Sequence, residues 1–166
     1  MRLILHDLTE EQKQEYLTIT REDETRVFEK TDRQITKCTG CFGCWIKTPG
    51  KCVMKDGYEM TGPCLGNCTE CTIVTDARYG EFSVFTKSMI DRSISAIHPY
   101  FTTRNKEMHH KLRYANSPQL TVICYSTELT DEEKETFRNR VTAMAVNLGA
   151  SVKQVTFTDG LRKMTV

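Results

Sequence analysis

The sequence predicts one α/β domain, residues 1–166, on a doubly wound five-stranded parallel sheet of order 2-1-3-4-5 with helices on both faces. Three observations predict it. Five short β-prone runs recur, at Arg2 to His6, Thr25 to Glu29, Cys71 to Asp76, Leu120 to Tyr125 and Val152 to Phe157. Helical patterns separate most of them. Two runs, Cys71-Thr72-Ile73-Val74 and Leu120-Thr121-Val122-Ile123-Cys124, are mostly apolar rather than alternating, which suits central strands buried on both sides.

The elements follow in order. Thr9-Glu10-Glu11-Gln12 reads as a capping box that opens a first helix after the first strand. A middle helix, about Phe85 to Ile97, presents Phe85, Met89, Ile90, Ile94 and Ile97. Thr130-Asp131-Glu132-Glu133 opens the last helix, where Phe137, Val141, Met144 and Leu148 share one face and Gly149 is a good stop. Two long stretches, Thr31 to Asn67 and Pro99 to Pro118, show no clear periodicity. Long irregular segments in a compact domain tend to be functional, and doubly wound sheets bind ligands beyond the carboxyl ends of their strands.

The composition narrows the function classes. Hydrophobic residues make up 39% and charged residues 27% of the chain, with a formal net charge of +1. That balance recommends neither nucleic acid nor an anionic membrane as partner. No apolar run approaches the roughly 20 residues of a membrane helix. Met1-Arg2-Leu3-Ile4-Leu5-His6-Asp7 turns acidic at once and lacks a signal peptide's apolar region, so the expected location is cytoplasmic.

Seven of the eight cysteines fall between Cys38 and Cys71, and the eighth is Cys124. In a reducing compartment such clustering indicates metal, cluster or catalytic chemistry rather than disulfides. The first four form a C-x2-C-x2-C-x7-C loop, Cys38, Cys41, Cys44 and Cys52. Two-residue spacing lets successive thiolates turn inward, Gly40 and Gly43 permit a tight backbone, and Pro49-Gly50 supplies a turn that returns Cys52. Three close cysteines and a distant fourth suit a cubane 4Fe-4S cluster, whereas zinc prefers two separated pairs. Cluster, zinc and a metal-free loop of thiols all stand as readings of this spacing. Cys64 and Cys68, at i,i+4 spacing, offer a second site, while Cys71 and Cys124 read as core thiols.

The stretch Cys38 to Asp56 resembles the cysteine loop of the iron–sulfur flavoproteins and their flavodoxin-like relatives in the NADPH-dependent FMN reductase superfamily. Lys55-Asp56-Gly57 matches the turn that ends the family's motif. Tyr79-Gly80-Glu81-Phe82-Ser83, running into Lys87 to Ser93, is similar to the loop that lies against the flavin ring in relatives. Pro99-Tyr100-Phe101 and Glu107 to Tyr114 resemble the segment that follows. The resemblance implies a flavodoxin-like fold, FMN as cofactor, and cofactor contacts from Thr75, Arg78, Tyr79, Gly80, Ser83 and Thr127. It implies metal ligation by Cys38, Cys41, Cys44 and Cys52. NAD(P)H or a small redox protein would be the electron partner, and the chain would pair as a homodimer or with a related flavodoxin-like subunit.

The pattern departs in two places. FMN-binding members carry a glycine- and hydroxyl-rich loop after strand 1, where backbone N–H groups cradle the phosphate. Here His6-Asp7-Leu8-Thr9-Glu10-Glu11 has no glycine and three carboxylates that would repel a phosphate. After strand 3, Asp76 and Arg78 stand where relatives often have a proline and an aromatic. Arg78 reads either as a phosphate or flavin contact or as a solvated side chain. Two functions therefore stand open: a redox flavoprotein with a cluster, and a flavin-less paralogue serving as a structural or regulatory partner. His109 and His110 are read as a packed loop or, alternatively, as a source of a proton donor; adjacent strand positions face opposite ways, so the pair does not chelate by default.

Overall fold

The computed structural model describes residues 1–20 and 24–166. Strands β1 (Arg2–His6), β2 (Thr25–Glu29), β3 (Glu70–Thr75), β4 (Gln119–Cys124) and β5 (Ser151–Phe157) form one parallel sheet in the order 2-1-3-4-5. Ile4 on β1 lies opposite Val27 on β2 and Thr72 on β3. Ile73 on β3 lies opposite Val122 on β4, which in turn faces Val155 on β5. Leu3, Ile4, Leu5, Ile73, Val74, Leu120 and Val122 are all at most 1% exposed. Consecutive residues are thus covered on both faces of the central strands, which is why those runs read as apolar rather than alternating.

The helices are α1 (Glu10–Tyr16), α2 (Gly43–Ile46), α3 (Thr61–Asn67), α4 (Val84–Arg92) and α5 (Asp131–Leu148). Both capping boxes form: Thr9 with Gln12, and Thr130 with Glu133. Gly149 ends α5 in the left-handed region, with φ +68. On α5 the buried stripe is Phe137, Val141 and Ala145, with Met144 and Leu148 at its margin. Phe137 packs between Phe82, at 4.8 Å between ring centroids, and Phe157, at 5.7 Å. No described helix is long and apolar enough to cross a membrane.

Two segments differ from the expectation. The middle helix stops at Arg92, tightens into a 3-10 turn over Ser93–Ala96, and Ile97 begins a strand. The 3-10 turn packs closely on α3, where a Cβ on Gly62 would lie 1.9 Å from Ser95 Oγ. Most of the second irregular stretch is an antiparallel hairpin, Ile97–Arg104 with Glu107–Leu112. Its two-residue turn, Asn105-Lys106, has both φ positive, at 51 and 68, which matches strand twist but lacks the glycine that usually signals it.

Because Phe137 ties α5 to the sheet and lies wholly buried, Phe137→Ala should lower the unfolding free energy by about 3–5 kcal/mol, measured by urea titration.

Candidate functional site at the carboxyl edge and the cysteine loop

One buried cation frames the cysteine loop. Arg92, the last residue of α4, is 2% exposed. Its guanidinium pairs with Asp56 and donates to the carbonyls of Met54, at 3.2 Å, and Thr36, at 3.4 Å. The Asp56 carboxylate also accepts the N–H groups of Thr36 (2.9 Å) and Tyr58 (3.1 Å). Both limbs of the loop are therefore tied to a single ion pair. Burial pushes the Asp56 carboxyl up, but Arg92 and the two N–H donors outweigh it and hold it at about 2, against an ordinary 3.8. Burial likewise opposes the Arg92 charge, and Asp56 with the neighbouring Cys52 outweighs that, leaving its pKa raised.

Inside this frame the backbone is bent by local choices. Gly40 and Phe42 take positive φ, at 65 and 57, and Phe42 opens α2, which carries Cys44. Gly43 allows the loop's two limbs to meet, since a Cβ there would lie 2.6 Å from Val53. Gly50, with φ +88, donates to the Cys44 carbonyl at 2.9 Å and turns the chain back toward Cys52. Cys38, Cys41, Cys44 and Cys52 consequently line one apolar cavity of about 50 Å³, walled by Trp45 and Arg92. Burial, then the charges of Cys52 and Cys38, push the Cys44 thiol up. Among the described residues, no three His, Cys, Asp or Glu side chains are grouped to hold a metal ion. The expectation that Cys38, Cys41, Cys44 and Cys52 ligate one metal centre, whether a cluster or zinc, therefore finds no assembled ligand set, although the four residues line one space.

Aromatic rings wrap the outside of this loop. Phe42, Trp45, His110 and Phe101 follow one another at centroid distances of 5.4, 5.2 and 4.7 Å. Trp45 Nε1 donates to the carbonyl of Ile97 at 3.0 Å, fixing the loop to the start of the hairpin.

At the sheet's carboxyl edge, where β1 and β3 diverge in their connections, stands Asp7. Its carboxylate is 7% exposed and accepts from Tyr125 Oη (2.8 Å), Thr75 Oγ1 (2.9 Å) and Asp76 N–H (3.0 Å), with Thr86 Oγ1 at 3.4 Å. Burial and the Asp7 charge keep the Tyr125 phenol protonated well above its usual range. Next to it, Thr9 and Gln12 close the first turn of α1 on itself, with Gln12 N–H donating to Thr9 Oγ1 and Thr9 N–H to Gln12 Oε1. The loop after β1 thus spends these two N–H groups on its own side chains, and the Asp7 carboxylate takes the donors beside it, an arrangement that does not fit FMN's phosphate.

Two clefts open over this edge, about 490 and 410 Å³, and Asp76 and Tyr125 line both. Ser88 lines the larger cleft and Arg92, one helical turn on, lines the thiol cavity; Lys37 borders both. The expected cofactor residues divide between roles. Arg78, Tyr79 and Thr127 line the smaller cleft. Tyr79 is 87% exposed at the tip of a hairpin, Ala77–Arg78 with Glu81–Phe82, whose turn residues Tyr79 and Gly80 both have positive φ. Gly80 packs on α5: a Cβ there would lie 2.7 Å from Thr136. Thr75 is spent inside the Asp7 network, and Ser83 caps α4 by accepting from Thr86 N–H while lining the larger cleft.

The remaining candidates line neither the two clefts nor the thiol cavity. His109 is buried, with Nδ1 3.1 Å from Asn147 Oδ1, while His110 stacks among the aromatics on the opposite side of the strand. Cys68 donates to the Leu65 carbonyl at 3.1 Å, and burial pushes its thiol to about 12. Burial also raises Cys71 and Cys124, both fully buried, and half-buried Cys64. Sequence reasoning passed over Arg92 and took Asp7 only as a repulsive charge. The signal for Arg92 was present, since Phe85, Met89 and Arg92 share one helical face and a cation on an apolar stripe needs a partner.

Two solved structures share this architecture. One is an FMN-dependent NADH-azoreductase from Bacillus anthracis str. Ames Ancestor in complex with FMN, with TM-score 0.51 and 12% identity over 94% of this chain and 85% of that one. The other is an azoreductase from Bacillus anthracis str. Sterne, with TM-score 0.53 and 10% identity over 94% and 86%. At such identity the likeness establishes the fold, which is flavodoxin-like. No protein-family model matches the sequence, and no curated protein does.

Arg92→Met should cost about 3–5 kcal/mol at neutral pH, because it leaves the Asp56 carboxylate buried without its partner. The folded pKa of Asp56 is depressed from 3.8 to about 2, so the pair's contribution is whole above pH 4 and lost as pH falls toward 2. Urea titrations across that window should show the wild type's advantage narrowing.

Proposed function

We propose that the chain is an oxidoreductase of the flavodoxin-like class, an electron-transfer protein that takes a flavin ring at the carboxyl-edge clefts and a redox group in the thiol cavity beside them. The observation that carries this reading is the juxtaposition of the two. Four cysteines line one apolar space, and Lys37 borders both that space and the larger cleft.

The C-x2-C-x2-C-x7-C spacing favours a 4Fe-4S cluster over a single zinc ion. A zinc ion needs every sulfur at about 2.3 Å from one point, whereas a cubane takes its thiolates at separated corners. The buried Arg92 guanidinium beside Cys52 offsets part of the negative charge that thiolates bring. Cys38, Cys41, Cys44 and Cys52 would hold the cluster, and Trp45 and Ile94 would keep water from it. A bound flavin supplies hydride and single-electron chemistry; Arg78, Tyr79 and Thr127 would orient its ring. Both solved neighbours are azoreductases, one of them named as FMN-dependent and NADH-using, which favours NAD(P)H or a small redox protein as the electron donor. The exposed apolar side chains of Phe42, Ile46, Tyr100, Phe101 and Met108 favour a homodimer or pairing with a related subunit, in the cytoplasm.

One observation favours a second reading. Asp7 takes the donors at the switch point, as suits a flavin-less paralogue that serves as a structural or regulatory partner.

Protein purified without oxygen should carry iron and acid-labile sulfide, and Cys41→Ser should lose both while keeping its fold by circular dichroism. Flavin released on denaturation supports the first reading. Iron-free, colourless protein from the same preparation supports the second.

A further inference from the structure

The donors that meet the Asp7 carboxylate are the kind an external oxyanion would use. A backbone N–H and two hydroxyls lie within 3.0 Å of its oxygens, and a third hydroxyl lies at 3.4 Å. They come from three places, β3 with its following residue, α4, and the residue after β4, all converging on the end of β1. This is the crevice where an open parallel sheet places the charged end of a ligand. Here the anion is part of the chain.

We infer that Asp7 is a built-in counterpart of a cofactor phosphate, which leaves the carboxyl-edge cleft without a phosphate site, so that it holds a flavin by its ring and gains nothing from the phosphate of FMN. The choice of a flavin ring rests on the proposed function; the anion site does not. Charge supports the assignment. The larger cleft is lined by three cationic side chains, Lys30, Arg33 and Lys37, and three carboxylates, Asp7, Asp32 and Asp76, so it offers a phosphate dianion no formal excess of positive charge. A phosphate brought to the same donors would meet the Asp7 carboxylate at contact distance, where like charges in a shielded site repel strongly. The capped first turn of α1 spends the N–H groups of Thr9 and Gln12 on its own side chains, and Glu10 and Glu11 add negative charge there.

Asp7→Ala removes the internal anion and leaves its donors in place. In thermal melts, inorganic phosphate should stabilise Asp7→Ala in a concentration-dependent way and leave the wild type unchanged, with sodium chloride at equal ionic strength as the control. In titrations, the wild type should bind riboflavin and FMN within about threefold of each other, a difference of well under one hydrogen bond. Asp7→Ala should prefer FMN by about tenfold or more, as one regained charge-assisted bond would give.

A wild type that prefers FMN by about tenfold, or an Asp7→Ala protein indifferent to phosphate, overturns the inference. If Asp7→Ala is unfolded alone, recovery of its near-ultraviolet circular dichroism on adding phosphate supports the assignment, and no recovery overturns it. Should neither flavin bind the wild type, the ring-binding reading of the proposed function fails, while the phosphate measurements still decide the role of Asp7.

Discussion

A guanidinium taken out of water needs a partner of opposite charge and acceptors for its remaining protons, and Arg92 finds both in one segment. Asp56 neutralises it, and the carbonyls of Thr36 and Met54 accept from it. The cost of burying either charge alone makes the pair all-or-none, and this gives the cysteine loop its shape. With residues 36 and 54–58 tied to the end of α4, the intervening chain has to double back. The glycines at 40, 43 and 50 let it do so at close quarters. Four thiols come to line one space because of a charge pair that is not itself a thiol.

The other organising charge, Asp7, works in the opposite sense. Arg92 holds a loop open around a cavity, whereas Asp7 fills the position that the topology of a doubly wound sheet offers to a ligand. The two solved neighbours share the fold at 10–12% identity. Topology fixes where such a crevice lies, and side chains fix what can enter it. Thr75, Asp76 and Tyr125 are donors in either case; a carboxylate from the preceding strand means they need no external acceptor.

Much of the fold was legible in the residues. The five strand runs, both capping boxes and the Gly149 stop appear within a residue or so of their expected places, because each depends on local periodicity or on a side chain bonding three residues away. The hairpin of residues 97–112 was not legible. Its turn is Asn-Lys rather than Asn-Gly, and its polar and apolar residues answer to α5, Trp45 and solvent rather than to a simple alternation. The candidate site was half legible. The spacing of Cys38, Cys41, Cys44 and Cys52 foretold a shared space. The family resemblance gave Thr75 and Gly80 as cofactor contacts; in the fold Thr75 donates to Asp7, and Gly80 meets the close approach of α5.

By itself, then, the sequence determined the five sheet strands, the first and last helices, the class of the fold and the clustering of the thiols along the chain. These follow from interactions between residues close along the chain and from which faces are apolar. Only the tertiary structure decided that Arg92 would meet Asp56 across 36 residues and that Asp7 would meet Tyr125 across 118. Both are pairings of buried polar groups brought together by the packing of the sheet. Burial sets their strength, because a charge or donor cut off from water must be matched where the fold places it.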